Sequence, residues 1–303
     1  MLTYNRETMV KRAIECVLNQ TLKNFEFIIV NNGSTDRSGV IADEYAMKDN
    51  RIKVIHRERG NIGSGRNTGL GVAIGDYITF IDDDDWCELD FLEFLYSLAI
   101  ENDAEVSICG ANASFLPHAN EFYNEKLIMT AEEALLALFE RKRYNTAFPT
   151  KMFTNKLGNK VRFSETDKYD DIAQMYKLLS YANKIVYSGF PKYTFHRHDS
   201  NNSAWITAHE LLDPNTLSEY LKAYQIRTDW LSEHFPKQIN TWQYYKWSFM
   251  ISMVEKIKRN KLENFDNHLR DMTNELTIQK YNFLSSPLIR DFEITWMNTY
   301  IRK

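Results

Sequence analysis

Four consecutive aspartates follow an apolar run in the first third of the chain. Residues 77–81 are mostly β-prone, and they lead directly into Asp82, Asp83, Asp84 and Asp85. Neighbouring carboxylates repel one another by about 1 kcal/mol per pair even in water, and by more when they are partly buried. A divalent cation removes this repulsion, because hard cations bind carboxylate oxygens. A solvated acidic turn is the alternative for an isolated run, so the flanking residues decide between the two interpretations.

Three further motifs flank the aspartates in a fixed order. They are Thr3-Tyr4-Asn5-Arg6, the stretch FIIVNNGSTD at residues 27–36, and the stretch GNIGSGRNTGL at residues 60–70. Together with FIDDDD, these motifs resemble those of the family-two glycosyltransferases, which have the GT-A fold. The resemblance is clear over roughly residues 1–110 and weaker to about residue 205. Each motif alone is a weak signal, whereas the ordered set is a specific one.

The resemblance implies that the aspartates form the family's DxD motif. Asp82 is then expected to contact the ribose or the metal, and Asp84 to be the more direct ligand of Mn²⁺ or Mg²⁺. Asp83 and Asp85 are alternatives for these roles. Alternate residues at a strand end project to the same side, so Asp82 and Asp84 can act together. The cation would offset the negative charge that develops on a departing diphosphate.

The resemblance also implies a pocket for a UDP-sugar donor. Thr3, Tyr4 and Asn5 are expected to line the nucleobase, with Tyr4 beside the uracil. Asn61 corresponds to a family position that contacts the base. The family often has two aspartates where this chain has Asn-Asn before Gly33. The oxygen of Asn32 can still accept the N3–H of uracil.

Arg66 is predicted to begin a helix after a glycine-rich approach. Backbone N–H groups at such a position favour phosphate, and a guanidinium adds charge-assisted hydrogen bonds. We therefore expect Arg66 to bind the diphosphate, with an ordinary surface arginine as the alternative. The run His196-Arg197-His198 lies where the family usually carries an aromatic-Arg stretch. Arg197 is a second candidate for the diphosphate, and either histidine is a candidate metal ligand, with an ordinary hydrogen-bonded loop as the alternative.

An inverting transferase needs a general base that takes the proton of the acceptor hydroxyl. In the family this base is the aspartate of a Glu-Asp pair that opens a helix. The matching residues here are Asp170 and Asp171, with Asp in place of Glu. Asp171 is the predicted base, and Asp170 is its neighbour. The structural alternative is a pair of aspartates that interact favourably with a helix N-terminus.

Composition excludes several classes of protein. The 303 residues carry a net charge of −4, so no basic field predicts a nucleic-acid partner. The three cysteines have no metal-binding spacing and predict reduced thiols in a cytoplasmic protein. No apolar run approaches the roughly 18–20 residues of a membrane span, and the polar start lacks a signal-peptide core. Membrane contact is therefore expected to be peripheral at most.

Alternating strand and helix patterns predict an α/β fold for residues 1–205, Rossmann-like with a mostly parallel sheet flanked by helices. The resemblance implies a central strand before Thr3, where only two residues precede it. From residue 207 onward, long helical patterns replace the alternation. Residues 206–303 are therefore predicted to form a helical domain for oligomerisation or acceptor binding. Its tryptophans and tyrosines fit helix packing, with sugar stacking as the alternative.

These features lead to one functional hypothesis and one rival. The resemblance implies an inverting, metal-dependent hexosyltransferase that moves glucose, galactose or an N-acetylhexosamine from a UDP-sugar. The acceptor is expected to be a hydroxyl of a glycan or glycosylated protein, in surface polysaccharide or glycoprotein synthesis. The rival is a degenerate protein that binds a nucleotide-sugar without catalysis. A homo-oligomer built through the C-terminal helices is also expected, because their aromatic content exceeds what one helical layer can bury.

Overall fold

The computed structural model describes residues 1–112, 122–166, 169–196 and 209–301, apart from the side chains of Asp170 and Glu210. The chain divides into two compact units, residues 1–196 and 197–303. The predicted boundary near residue 205 lies outside the described residues.

Strands and helices alternate through the first unit. Its strands are β1 (Leu2–Thr3), β2 (Phe27–Asn31), β3 (Ile52–His56), β4 (Tyr77–Thr79), β5 (Trp86–Cys87), β6 (Val106–Asn112), β7 (Lys126–Met129), β8 (Lys151–Thr154) and β9 (Ile185–Thr194). Its helices are α1 (Val10–Leu18), α2 (Ser38–Ala46), α3 (Ile62–Leu70), α4 (Phe91–Glu101), α5 (Ala131–Glu140), α6 (Asn155–Gly158) and α7 (Asp170–Ser180). The predicted α/β class is confirmed.

The first sheet is parallel and has the order β1-β2-β3. Its first strand has two residues, and Leu2 pairs with Val30 on one side. On the other side Leu2 forms an isolated parallel bridge with Asp82. The short β1 thus lies between β2 and the first of the four aspartates.

The second sheet is more mixed than the alternation of strands and helices predicts. Its order is β4-β8-β6-β9-β5, and β7 pairs with β9. Among the described strands of this sheet, only β6 and β9 are parallel neighbours, whereas β8 runs antiparallel to both β4 and β6. Insertion of β8 between β4 and β6 therefore breaks the parallel pattern. It also brings the end of β4, where the aspartates begin, close to residues that follow about seventy positions later.

An apolar core joins α1 to the aspartate loop. Val10, Ala13, Ile14 and Val17 are all buried, which is the spacing that predicts a helix over residues 7–20. Val10, Ile14 and Val17 belong to a core cluster that includes Cys87, immediately after Trp86. The loop after β4 is consequently anchored to α1 at its far end.

The second unit is helical. Its helices are α8 (Pro214–His234), α9 (Ile239–Asn260), α10 (Asp266–Ile278), α11 (Lys280–Leu284) and α12 (Asp291–Tyr300), with short 3₁₀ turns at His209–Leu211 and Pro236–Gln238. Trp242, Tyr244 and Trp247 of α9 are buried, and each polar tip has a partner within this unit. These aromatics therefore serve helix packing. No helix among the described residues is long and apolar enough to cross a membrane.

Candidate active site

The four aspartates alternate in exposure along the loop. The side chain of Asp82 is 43% exposed and Asp84 is partly exposed, whereas Asp83 and Asp85 are 9% and 3% exposed. The alternation is the period of two expected at a strand end. Asp82 and Asp84 are thus the members of the run that can contact a ligand.

The two buried aspartates have partners inside the protein. Asp83 Oδ1 lies 3.9 Å from Arg6 Nε, and burial raises the pKa of this carboxyl to about 7. Asp85 accepts hydrogen bonds from the Tyr193 hydroxyl at 2.9 Å and from the backbone N–H of His196 at 2.7 Å. The hydroxyl oxygen of Tyr193 in turn accepts the N–H of Asp82 at 3.1 Å.

Tyr193 therefore ties both ends of the aspartate loop to β9. It is fully buried, and sequence reasoning missed it. It stands 111 positions after Asp82, so no local pattern connects the two residues. Only the antiparallel pairing of β5 with β9, in which Cys87 faces Tyr193, brings them together.

Arg12 of α1 is a second contact that the sequence did not reveal. Its Nη2 donates a 2.6 Å hydrogen bond to the backbone oxygen of Asp84, and its guanidinium lies 4.9 Å from the Trp86 ring centre. The α1 helix thus fixes the backbone of Asp84 while the carboxylate stays partly exposed.

Arg66 lies beside this loop in an aromatic cage. The cage consists of Phe80, Phe148 and Phe163, whose ring centres lie 5.3, 5.3 and 5.5 Å from the guanidinium carbon. Arg66 Nη2 is 3.8 Å from Asp82 Oδ1, and its side chain is 10% exposed. Cation–π contacts stabilise a largely desolvated guanidinium and restrict its position. The structure therefore brings Arg66 and Asp82 together. Arg66 lies in the middle of α3 and not at its start, because the helix already begins at Ile62 after its cap Asn61.

The predicted nucleobase residues lie at the end of β1. Thr3 is buried, and the guanidinium of Arg59 lies 3.1 Å from the Tyr4 ring centre. Asn5 has a φ of 50°, in the left-handed region. Its Oδ1 accepts the N–H of Thr35 at 2.8 Å, which joins this turn to the residues after β2.

Asn32 and Asn61 both hold the loop that enters α3. Asn32 exchanges two hydrogen bonds with the backbone of Gly60, at 2.8 and 3.2 Å. Asn61 caps α3, because its Oδ1 accepts the N–H of Ser64 at 2.8 Å. Its Nδ2 donates to the backbone oxygen of Ser164 at 2.9 Å. The contacts of these two amides are structural, since they fix the loop that enters α3.

The predicted base lies at the start of α7. Asp171 Oδ1 accepts the N–H of Ile172 at 2.8 Å, and its Oδ2 lies 3.5 Å from Thr146 Oγ1. Thr146 stands two residues before Phe148 of the arginine cage, so residues 146–148 contact both Asp171 and Arg66. Asp170 opens the same helix, and its side chain lies outside the described set.

The predicted histidine–arginine run is described only at its first residue. The ring centre of His196 lies 5.6 Å from that of Trp86, and its backbone holds Asp85. Arg197 and His198 lie outside the described residues. Taken together, the described residues offer two outward carboxylates for a hard cation and one caged guanidinium for a phosphate.

Comparison with known proteins shows the family of the chain. The family model described as "Glycosyl transferase family 2" matches residues 1–165, which is more than half of the chain. The glycosyltransferase GlyG of Streptococcus pneumoniae serotype 4 is 34% identical over 207 residues, which are 64% of this chain and 68% of GlyG.

Solved structures of low sequence identity share the fold. S. aureus TarS 1-349 in complex with UDP has a TM-score of 0.58 and 21% identity, covering 96% of this chain and 93% of that one. The mannosyltransferase PcManGT of Pyrobaculum calidifontis, in complex with GDP-Man and Mn²⁺, has a TM-score of 0.56 and 12% identity, covering 99% and 83%. The fold and site define a GT-A glycosyltransferase. The chain belongs to glycosyl transferase family 2.

Proposed function

We propose that this chain transfers a hexose from a UDP-sugar to a hydroxyl group of a glycan acceptor, with inversion at the sugar carbon and with Mn²⁺ or Mg²⁺. The observation that carries the proposal is the outward alternation of Asp82 and Asp84 beside Arg66, which lies 3.8 Å from Asp82. A pair of carboxylates and a guanidinium are the groups that a metal-bound diphosphate needs.

The donor set fits a hard cation. Mg²⁺ is usually held by one or two carboxylates together with substrate phosphates, which matches Asp82 and Asp84. Among the described residues no three acidic, histidine or cysteine side chains cluster as a complete metal cage, so diphosphate oxygens and water would complete the shell. His196 and His198 remain proposed ligands. The bound cation would supply positive charge against the developing charge of the leaving diphosphate.

The donor is oriented by residues on both sides of the aspartates. In this proposal Arg66, together with Arg197, binds the diphosphate, and Thr3, Tyr4 and Asn5 line the uracil. The cage around Arg66 supports its part, because a guanidinium fixed in place needs little reorganisation when phosphate binds. The UDP complex of TarS, which shares the fold, supports UDP as the nucleotide.

Asp171 is the proposed general base, and Asp170 is its neighbour. Asp171 takes the proton of the acceptor hydroxyl while that oxygen attacks the anomeric carbon. The bond from this carbon to the diphosphate breaks on the opposite face, and UDP leaves with the bonding electrons. The shared segment 146–148 supports this role, since it contacts both Asp171 and Arg66.

The acceptor is proposed to be a glycan or a glycosylated protein of surface-polysaccharide or glycoprotein synthesis. The resemblance to GlyG supports the glycosyltransferase class. The proposal places the enzyme in the cytoplasm, with at most peripheral membrane contact, and as a homo-oligomer through the helical unit.

The decisive experiment is incubation with UDP-glucose, UDP-galactose and UDP-N-acetylhexosamines, each with Mn²⁺, and measurement of released UDP. GDP-mannose is the control for the nucleotide. We expect release from one UDP-sugar, enhanced by acceptor glycan and lost in the Asp84→Asn variant. UDP binding without release from any donor would instead support the rival, a nucleotide-sugar-binding protein without catalysis.

A further inference from the structure

Asn67 of α3 makes a contact that the donor site does not explain. Its Nδ2 donates to the backbone oxygen of Phe163 at 2.9 Å, and its Oδ1 accepts the backbone N–H of Phe163 at 3.0 Å. One side chain thus satisfies both main-chain groups of a residue 96 positions away. Phe163 lies in an irregular segment, so the amide replaces the pairing that a neighbouring strand would provide.

The same part of α3 is in close contact with this segment at two more positions. Asn61 Nδ2 binds the oxygen of Ser164 at 2.9 Å. A Cβ atom at Gly63 would lie 2.4 Å from that oxygen and 2.9 Å from Phe163 Cβ. Residues 63 and 67 are four apart, so they share a helix face. We call Asn61, Gly63 and Asn67 the α3 clamp.

The α3 clamp fixes a wall of the arginine cage. Phe163 is 3% exposed, and its ring meets those of Phe80 and Phe148 at 6.1 and 5.0 Å. Its ring centre is also 5.5 Å from the guanidinium of Arg66, one residue before Asn67. Releasing Phe163 would therefore loosen Arg66 beside Asp82. The clamped segment also lies just before α7, the helix that carries Asp171.

We propose that Asn67 is a positioning residue for sugar transfer. By holding the backbone of Phe163, it keeps the diphosphate-binding Arg66 and the approach to the Asp171 helix in fixed relation. The inference rests on the proposed function, in which Arg66 binds the diphosphate. The effect on UDP affinity can be measured without turnover, and the effect on the backbone of Phe163 follows from the α3 clamp itself.

The test compares Asn67→Ala with Asn19→Ala, which removes an exposed amide that donates to the backbone oxygen of Glu15 in its own helix. Hydrogen exchange of the backbone amides at residues 161–166 is measured first, together with the Kd for UDP in the presence of Mn²⁺. We expect Asn67→Ala to raise exchange in this segment and to raise the Kd by about fivefold or more, with kcat reduced by at least about tenfold, since small misplacements at a reacting centre are costly. Asn19→Ala should change none of these quantities.

Gly63→Ala provides a second variant that leaves the Asn67 amide in place but pushes the segment away. It should also raise the Kd for UDP and lower kcat. Asn67→Asp keeps an acceptor for the Phe163 N–H, so its Kd and kcat should lie between those of the natural protein and those of Asn67→Ala. Unchanged UDP affinity in both Asn67→Ala and Gly63→Ala would overturn the proposal. Absence of turnover in the natural protein would count against the proposed function alone, because the UDP measurements still decide the clamp.

Discussion

At the scale of single residues, position in the loop separates aspartates with partly exposed carboxylates from aspartates that are buried. Asp83 and Asp85 have partners within the fold, Arg6 for the first and Tyr193 for the second. Asp82 and Asp84 are left with their carboxylates partly exposed beside Arg66. Identical side chains in a row therefore have different roles, and substitutions at neighbouring positions should have different effects.

The first prediction concerns the outward pair. Asp84→Asn keeps the shape of the side chain but removes the charge that a hard cation needs, so UDP release should fall by about two orders of magnitude or more. Turnover is measured with Mn²⁺, with Mg²⁺ and with excess EDTA. Asp85→Asn is the matched control. It should reduce thermal stability, because it alters the contact with Tyr193, but it should not change the metal concentration that gives half-maximal turnover. Full turnover in EDTA would disprove the metal requirement.

The second prediction concerns the base. Asp171→Asn should lower kcat by about two to four orders of magnitude while UDP affinity stays within about twofold, because the amide keeps the contacts but accepts no proton. Single-turnover transfer and UDP titration measure the two quantities separately. Asp170→Asn is the comparison, and a larger loss in that variant would show that the other carboxylate is the base.

At the scale of elements, β8 places a buried cation near the proposed base. Lys151 is fully buried, and its ammonium donates to the backbone oxygen of Ala147 and to Thr150 Oγ1. Burial lowers the pKa of Lys151 to about 7, and the nearby carboxylate of Asp171 opposes this shift. The element that separates β4 from β6 thus carries a group whose protonation is linked to folding.

The third prediction follows from this linkage. The pKa of Lys151 is lowered on folding, so above pH 7 the unfolded chain holds the proton more firmly than the native one. The contribution of Lys151 to the free energy of unfolding therefore rises between about pH 7 and pH 10, by up to about 1.4 kcal/mol per pH unit. The Lys151→Met variant lacks this titrating group. The free energy of unfolding of the natural protein should therefore rise relative to that of the variant between pH 7 and 9. Denaturant titrations at both pH values measure it, and parallel curves would contradict it.

At the scale of the whole molecule, the helical unit exposes apolar side chains that its own packing leaves uncovered. Ile278 and Tyr281, at the junction of α10 and α11, are 77% and 82% exposed. They border a groove that also includes Leu284. Apolar patches of this kind mark interaction surfaces when they are contiguous.

The fourth prediction is the expected homo-oligomer. Light scattering at micromolar concentration should give a mass above that of one chain, and the double change Ile278→Ser with Tyr281→Ser should lower it. Ile74→Ser is the matched control, since Ile74 is 85% exposed but lies in the other unit, and it should leave the mass unchanged. A natural protein of monomer mass would refute the assembly.

The sequence by itself determined the features that depend on local geometry. The resemblance to the family's DxD motif pointed to Asp82 and Asp84, and helical spacing predicted α1 from Val10 to Val17. The order of the motifs indicated the family, and the alternation of strand and helix patterns predicted the α/β class. Both signals come from residues that are close together along the chain.

Tertiary structure decided everything that depends on pairing between distant segments. The insertion of β8 made the second sheet mixed, and the pairing of β5 with β9 brought Tyr193 to the aspartate loop. The contact of Asn67 with Phe163 spans 96 positions. Asparagine and tyrosine side chains can hydrogen-bond to many partners, so their types alone do not select one. The choice is made by which backbones the packed core brings within hydrogen-bonding distance.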